Sequence, residues 1–124
     1  MIVEFMEPDF SFDNEAGGLR QLVRGGWRQV NVVTSVAGAV RGGHRHELNR
    51  ELFYVVSGSF SLEVSRGGES ERHEMRAGDM FVVPPFADHT FEYAEETVLV
   101  AMYDRGVELE GGRKDIVAQE EPAR

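Results

Sequence analysis

The fold is decided by the stretch GAVRGGHRHELNRELFYVVSG, residues 38–58. His44 and His46 stand two positions apart, and Glu51 opens a dense run of β-forming residues. In an extended chain, residues i and i+2 point to the same side, so both imidazoles face one way. If Glu51 points inward, Phe53 points inward with it. The stretch therefore predicts two strands whose polar side chains turn toward a common interior.

Short strands continue on both sides of this stretch. Residues 27–36 have strand composition, and residues 59–65 alternate apolar and polar side chains, as a half-buried strand does. Pro84 and Pro85 end another short apolar run, because proline cannot donate a ladder hydrogen bond. About seven or eight such strands, with turns between them, predict an antiparallel all-β sandwich or barrel.

A third histidine follows the two prolines. His89 opens a strand in which Phe91 and Tyr93 share its face. Two short strands could therefore bring His89 to His44, His46 and Glu51. Neutral imidazoles and a carboxylate suit borderline divalent metals. The alternative is that these are ordinary polar residues at the mouth of a pocket.

Composition limits the class of protein. The chain has 124 residues, 41% of them hydrophobic, which suits one domain with its own core. The absence of cysteine excludes disulfides and thiolate ligands, and fits a cytoplasmic protein. A net charge of −9 argues against nucleic acid as a partner.

We expect neither a signal peptide nor a membrane segment. The opening residues MIVEFMEPDF have no basic region, and no stretch approaches the roughly 18 apolar residues of a membrane helix. We divide the chain into an N-terminal arm (residues 1–18), a barrel (19–104) and a polar C-terminal extension (105–124). The arm contains Phe5, Phe10 and Phe12, which suggests that it packs on another surface.

The histidine spacing resembles the cupin superfamily, whose first motif reads G-x5-HxH-x(3,4)-E-x6-G. This chain meets every spacing, with Gly38, His44, His46, Glu51 and Gly58. The resemblance implies an antiparallel double-stranded β-helix, the jelly-roll barrel of cupins. It also implies one divalent transition metal (Zn, Fe, Mn or Ni) held by His44, His46, Glu51 and His89.

The second cupin motif, G-x5-P-x-G-x2-H-x3-N, is met in part. Gly78, Pro84 and His89 match it, whereas Phe86 replaces the second glycine and Tyr93 replaces the asparagine. Neither change removes a ligand. Both are expected to narrow or reshape the pocket.

Residues 18–46 look like the nucleotide-sugar branch of cupins, the 3,5-epimerases and 3,4-ketoisomerases. That resemblance implies that Arg41 contacts a diphosphate and that His44 acts as a base. A histidine near neutral pH suits removal of a proton beside a keto group. Tyr93, or else Tyr54 or Tyr103, is a candidate for the acid on the other face, and Phe53 and Phe91 are expected to contact the substrate.

Metal ligand and base are competing roles for His44. We favour the metal role, because Glu51 and His89 have no simple part in a metal-free mechanism. The leading hypothesis is thus a metal-dependent isomerase or epimerase of a small polar metabolite. The alternatives are a metal-dependent dioxygenase, since four protein ligands leave two octahedral positions open, and a non-catalytic metabolite-binding cupin.

The cupin resemblance also implies a homodimer that forms through outer strands. If Glu51 faces inward, then Leu52, Tyr54 and Val56 face outward. An apolar outer face of this kind needs cover, either from the phenylalanines of the arm or from a second subunit.

Overall fold

A computed structural model describes residues 1–119. These residues form twelve β-strands and one short 3-10 turn at Glu110–Gly112. The strands are β1 (Glu4–Phe5), β2 (Phe10–Asn14), β3 (Gly17–Gln21), β4 (Gln29–Ser35), β5 (Val40–Arg45), β6 (Glu51–Ser57), β7 (Ser59–Arg66), β8 (Glu69–Arg76), β9 (Met80–Val83), β10 (Asp88–Tyr93), β11 (Thr97–Tyr103) and β12 (Val117–Ala118). No helix in this part of the chain has the length and apolar character needed to cross a membrane.

The strands form two five-stranded sheets and a separate hairpin. Sheet one has the order β1-β9-β6-β11-β4, and sheet two has the order β12-β5-β10-β7-β8. All the paired strands are antiparallel. The predicted all-β antiparallel double-stranded β-helix is thus confirmed.

Alternating side chains explain why the two sheets close over one core. In β7, Phe60, Leu62 and Val64 are buried, while the intervening residues are polar and at least partly exposed. They pack with inward residues of the opposite sheet, among them Phe81 and Leu99, in a single apolar cluster. Burial of such side chains supplies most of the driving force for the fold.

A second apolar cluster covers part of the outer face of sheet one. Its buried members are Leu52, Met80, Val82 and Met102, and Met6, Leu22, Val23 and Trp27 pack against them. Of the two alternatives for this cover, the phenylalanines of the arm contribute little, since Phe5, Phe10 and Phe12 are about half exposed (47%, 52% and 51%). Other residues of the N-terminal region cover this face instead.

The N-terminal hairpin crosses the boundary that we drew at residue 18, because β2 pairs with β3 from Phe10 to Gln21. Beyond residue 104 the chain returns to sheet two, where β12 pairs with β5. Glu120 and Glu121, part of the predicted extension, lie outside the described residues. The three-part division of the chain stays a prediction.

Phe86 occupies a backbone conformation that normally requires glycine. Its φ is 67°, and no other non-glycine residue among residues 1–119 has a positive φ. This is the position where the cupin motif has its second glycine, and the backbone here has a conformation that glycine favours although the residue is phenylalanine. The ring is 56% exposed and does not line the central cavity, so the expectation that it narrows the pocket is wrong.

We expect Phe86→Gly to be more stable than Phe86→Ala by about 1 kcal/mol, because only glycine relieves the left-handed strain. Urea unfolding of the two variants measures the difference. Both lose the same exposed ring, so each controls for the other. Equal stability would show that this backbone position is not strained.

Candidate metal centre

Three histidines and one glutamate from three strand regions meet inside the barrel. β5 carries His44 and leads into His46, β6 begins with Glu51, and β10 places His89 opposite His44. One nitrogen from each histidine lies within 4.8 Å of one nitrogen from each of the others. The structure therefore brings together the three histidines that the sequence nominated as ligands, and Glu51, the fourth candidate, lies against His46 and His89.

Glu51 is the negative group of this cluster. Its Oε1 lies 3.0 Å from His46 Nε2 and 3.4 Å from His89 Nε2, and the residue is 4% exposed. Burial by itself would raise the pKa of Glu51, but the hydrogen bond from His46 and the proximity of His89 lower that pKa to about 2. Glu51 is therefore a buried carboxylate that keeps its negative charge.

Backbone carbonyls fix the tautomer of two histidines. His46 Nδ1 donates to the carbonyl of Asp115 at 2.6 Å, and His89 Nδ1 donates to the carbonyl of Ala87 at 3.0 Å. A carbonyl oxygen only accepts, so each Nδ1 carries a proton and each Nε2 is directed toward Glu51. The Nε2 of His46 donates to Glu51 when the ring holds a second proton, and loss of that proton leaves the Nδ1–H tautomer.

His89 Nε2 is a buried nitrogen that has no hydrogen-bond partner among residues 1–119. A buried polar atom without a partner is costly and calls for an explanation. The nitrogen faces a carboxylate and two other imidazoles, a donor set that suits a borderline divalent cation. The residues present thus fit a metal ion.

The histidines differ in their affinity for protons. Burial, with a smaller contribution from the nearby His89 and His46, lowers the pKa of His44 to about 4. Burial also acts to lower the pKa of His46, but the hydrogen bond and charge of Glu51 outweigh it, so that its pKa is raised. At neutral pH His44 is the uncharged imidazole that a metal requires.

The cluster forms one wall of a cavity of about 350 Å³. Phe53, Phe91, Tyr93 and Arg41, all nominated from the sequence for substrate contact or catalysis, line it as well. Phe53 and Phe91 add apolar surface beside the cluster, with ring centroids 6.4 Å and 6.0 Å from that of His89.

Two tyrosines face this cavity and a third does not. Burial raises the pKa of Tyr93 and of Tyr103, so both phenols keep their protons at neutral pH. The ring of Tyr103 packs edge-on against His46, with 5.1 Å between centroids. Tyr54, also considered as an acid, packs in the outer cluster of sheet one.

Arg41 lies at the rim and is already partly engaged. Its Nε donates to Ser35 Oγ at 2.8 Å, and one terminal nitrogen donates to the carbonyl of Thr34 at 3.0 Å. These bonds hold the guanidinium against β4, and its remaining N–H groups are available to a ligand in the cavity.

Sequence reasoning missed Asp115 and Asn49. Both are buried, and Asn49 Nδ2 donates to the Asp115 carboxylate at 2.8 Å. Asp115 lies in a polar segment without strand alternation, 69 positions from His46. No spacing rule connects such distant positions, so no local signal could have revealed the contact.

Comparison with known protein families supports this architecture. A family model described as a cupin domain matches residues 31–103, which include all four candidate ligands. A comparison with curated protein sequences found no match.

Solved structures with the same fold include enzymes of nucleotide-sugar metabolism. A mutant of the 3,4-ketoisomerase QdtA from Thermoanaerobacterium thermosaccharolyticum, in complex with TDP-4-keto-6-deoxyglucose, has a TM-score of 0.74 at 16% identity, over 84% of this chain and 80% of that one. ChmJ, a 3'-monoepimerase from Streptomyces bikiniensis in complex with dTDP-quinovose, has a TM-score of 0.71 at 22% identity, over 85% and 65%.

A third similar structure is the capsular polysaccharide assembling protein CapF from Staphylococcus aureus. Its TM-score is 0.62 at 22% identity, over 75% of this chain but only 26% of that much longer one. At these identities the likeness establishes the fold.

Gly42 provides a test of the geometry of the cluster. A Cβ at this position would lie 2.6 Å from the carbonyl oxygen of His89, whereas one at the neighbouring Gly43 would meet nothing within 4 Å. Both glycines have a positive φ, of 96° and 68°. We expect Gly42→Ala to displace His89 and to weaken metal binding by at least about 10-fold.

Gly43→Ala is the matched control, because it adds the same left-handed strain, about 1–2 kcal/mol, without the collision. Metal titration of the two purified variants, competed against a chromophoric chelator, gives the comparison. Equal affinities would contradict the placement of His89 beside Gly42.

Proposed function

Because the chain belongs to the cupin domain family, we propose that it is a metal-dependent enzyme that moves a proton on a small polar metabolite, with nucleotide sugars as the substrate class. The observation that carries the metal assignment is the unpartnered His89 Nε2, buried beside the charged carboxylate of Glu51. The sugar assignment is supported by the QdtA and ChmJ structures, whose ligands are TDP-linked sugars.

We assign His44 to the metal rather than to a free catalytic base. Its ring centroid lies 4.7 Å from that of His89 and 5.0 Å from that of His46, within the same cluster. A metal-free base would need only one histidine and its orienting group. The remaining imidazoles and Glu51 would then have no role that offsets the cost of burying them.

The residues around the cluster have complementary roles. A bound divalent cation would stabilise the negative charge that develops beside the carbonyl of a keto sugar. Tyr93 lines the same cavity in its protonated form, so we assign it as the proton donor. Phe53 and Phe91 form apolar walls, and Arg41 at the rim offers N–H donors to a diphosphate.

We also propose that the protein is a homodimer. The N-terminal region covers only part of the outer face of sheet one. The uncovered part includes Val30, Val32 and Val56, whose side chains are 59%, 70% and 50% exposed. β4 is an edge strand there, and its outward face carries no charged side chain. A second copy of this face, related by a two-fold axis, offers the uncharged apolar surface that such a patch requires.

Metal analysis tests the first part of the proposal. We expect protein purified without chelators to contain one divalent metal per chain, or to take one up when it is added. His89→Ala removes a candidate ligand, so it should weaken metal binding by at least the roughly 10–100-fold that is typical when a residue supporting a ligand is changed. His73→Ala is the control, because His73 lies in β8 and binds Glu71 outside the cluster. A wild-type protein that binds no metal would refute the assignment.

A ligand screen tests the second part. We expect TDP-linked 4-keto sugars to raise the melting temperature of the metal-loaded protein, since a ligand at 100 times its Kd adds about 2.7 kcal/mol. Conversion of the sugar, followed by NMR in D2O, should incorporate deuterium and should stop on metal removal. Turnover without metal would instead indicate that His44 is the catalytic base. Oxygen uptake with added Fe(II) would indicate a dioxygenase. Tight binding of the sugar without turnover would indicate a non-catalytic binding protein.

Light scattering after size exclusion tests the dimer. We expect the wild-type protein to elute as a dimer and Val32→Glu to elute as a monomer, because a charge buried in an apolar interface is costly. Val40→Glu is the control, since Val40 is similarly exposed (66%) but lies in sheet two. A monomeric wild-type protein would refute the proposal.

A further inference from the structure

The segment from Val107 to Gln119 closes over β5, the strand that carries His44 and leads into His46. β12 pairs with β5, with Ala118 opposite His44, and the amide of Gln119 donates to the carbonyl of Gly43 at 2.8 Å. The outer edge of the ligand strand is therefore covered by residues that come long after it in sequence.

Asp115 is the point where this segment is fixed to the barrel. Its Oδ1 accepts the amide of Glu47 at 2.9 Å, and its Oδ2 accepts the amide of Leu48 at 3.0 Å and Asn49 Nδ2 at 2.8 Å. The residue is 4% exposed. The carboxylate thus holds the turn that connects the last ligand of the HxH pair to Glu51.

Asn49 ties the same turn to the chain that leads into the segment. Its Oδ1 accepts the amides of Arg105 at 3.0 Å and Gly106 at 2.9 Å, and it is 1% exposed. The amide of Asp115 also donates to the carbonyl of Val107 at 2.9 Å. The chain just before the segment and Asp115 within it are therefore both tied to the turn between the ligands, and Asp115 has little freedom to shift.

The main chain of the same residue touches the centre directly. The carbonyl of Asp115 accepts Nδ1–H of His46 at 2.6 Å, and this leaves Nε2 as the nitrogen that faces Glu51. Partners of this kind fix the orientation and tautomer of a ligating histidine. The side chain holds the position of the residue, and its carbonyl then acts on the ligand.

We propose that Asp115 is a positioning residue of the metal centre, which orients His46 and selects Nε2 as its metal-binding atom. Asp115 is not itself a ligand, because both its carboxylate oxygens are occupied by amide donors of the turn. The inference rests on the proposed metal binding and assigns a role to the segment beyond the barrel.

The test compares Asp115→Ala with Glu71→Ala in the full chain. Glu71 is a matched control, since its carboxylate also accepts two backbone amides, those of Ile2 and Val3, but it fixes the N-terminal strand. Circular dichroism first establishes that each metal-free variant is folded. Each variant is then titrated with Zn²⁺ in competition with a chelator. We expect about a 10–100-fold loss of Zn²⁺ affinity for Asp115→Ala and none beyond about 2-fold for Glu71→Ala.

Asp115→Asn should recover part of the loss, because the amide oxygen can still accept one N–H of the turn. Equal affinities for wild type and Asp115→Ala would overturn the inference, as would an equal loss in Glu71→Ala. If the wild-type protein binds no Zn²⁺, the proposed metal centre fails instead, so the two failures are distinguishable.

A spectroscopic measurement on the wild-type protein remains decisive if Asp115→Ala does not fold. Long-range ¹H–¹⁵N spectra of the Zn²⁺-loaded protein should show His46 protonated at Nδ1 and ligated through Nε2. A loss of stability alone would not change this pattern. Ligation through Nδ1 would overturn the inference.

Discussion

Glu51 carries its charge at 4% exposure, and a buried carboxylate is tolerated only when it is paired. His46 hydrogen-bonds to it, and His89 Nε2 lies 3.4 Å from it. These histidines come from the turn after β5 and from β10, two neighbouring strands of sheet two. Glu51 itself belongs to sheet one. The carboxylate of Glu51 therefore links the two sheets across the barrel. The surrounding imidazoles lie where they can compensate its buried negative charge.

The same constraint orders the cavity. The polar cluster occupies one wall, while Phe53, Phe91 and Leu99 form apolar walls in which an unpaired charge would be expensive. Electrostatic interactions are strong in such surroundings because little water competes with them. A site of this kind can stabilise charge that develops on a substrate, which is what proton transfer beside a carbonyl requires.

The parts of the structure that could be predicted from the sequence are those with a local signal. The barrel strands could be predicted from the period-two alternation of β7 and from the prolines that end the strand before His89. The HxH pair predicted that the candidate histidine ligands lie together, as they do in the structure. The residues of the N-terminal region that cover the outer face could not be predicted, because apolar character alone does not distinguish Phe10, which is exposed, from Met6, which packs. The contact between Asp115 and His46 was missed because it is set by tertiary closure, which leaves no periodic trace.

The 69 positions between His46 and Asp115 also bear on how the centre is assembled. A chain synthesised only as far as His89 already contains every candidate ligand, yet it lacks the carbonyl that sets the tautomer of His46. Contacts between residues so far apart require closure of a long loop, which is an entropic cost that local hairpins avoid. The ligand geometry is therefore a property of the completed molecule, and a nascent barrel would offer a metal three histidines whose orientation is not yet fixed.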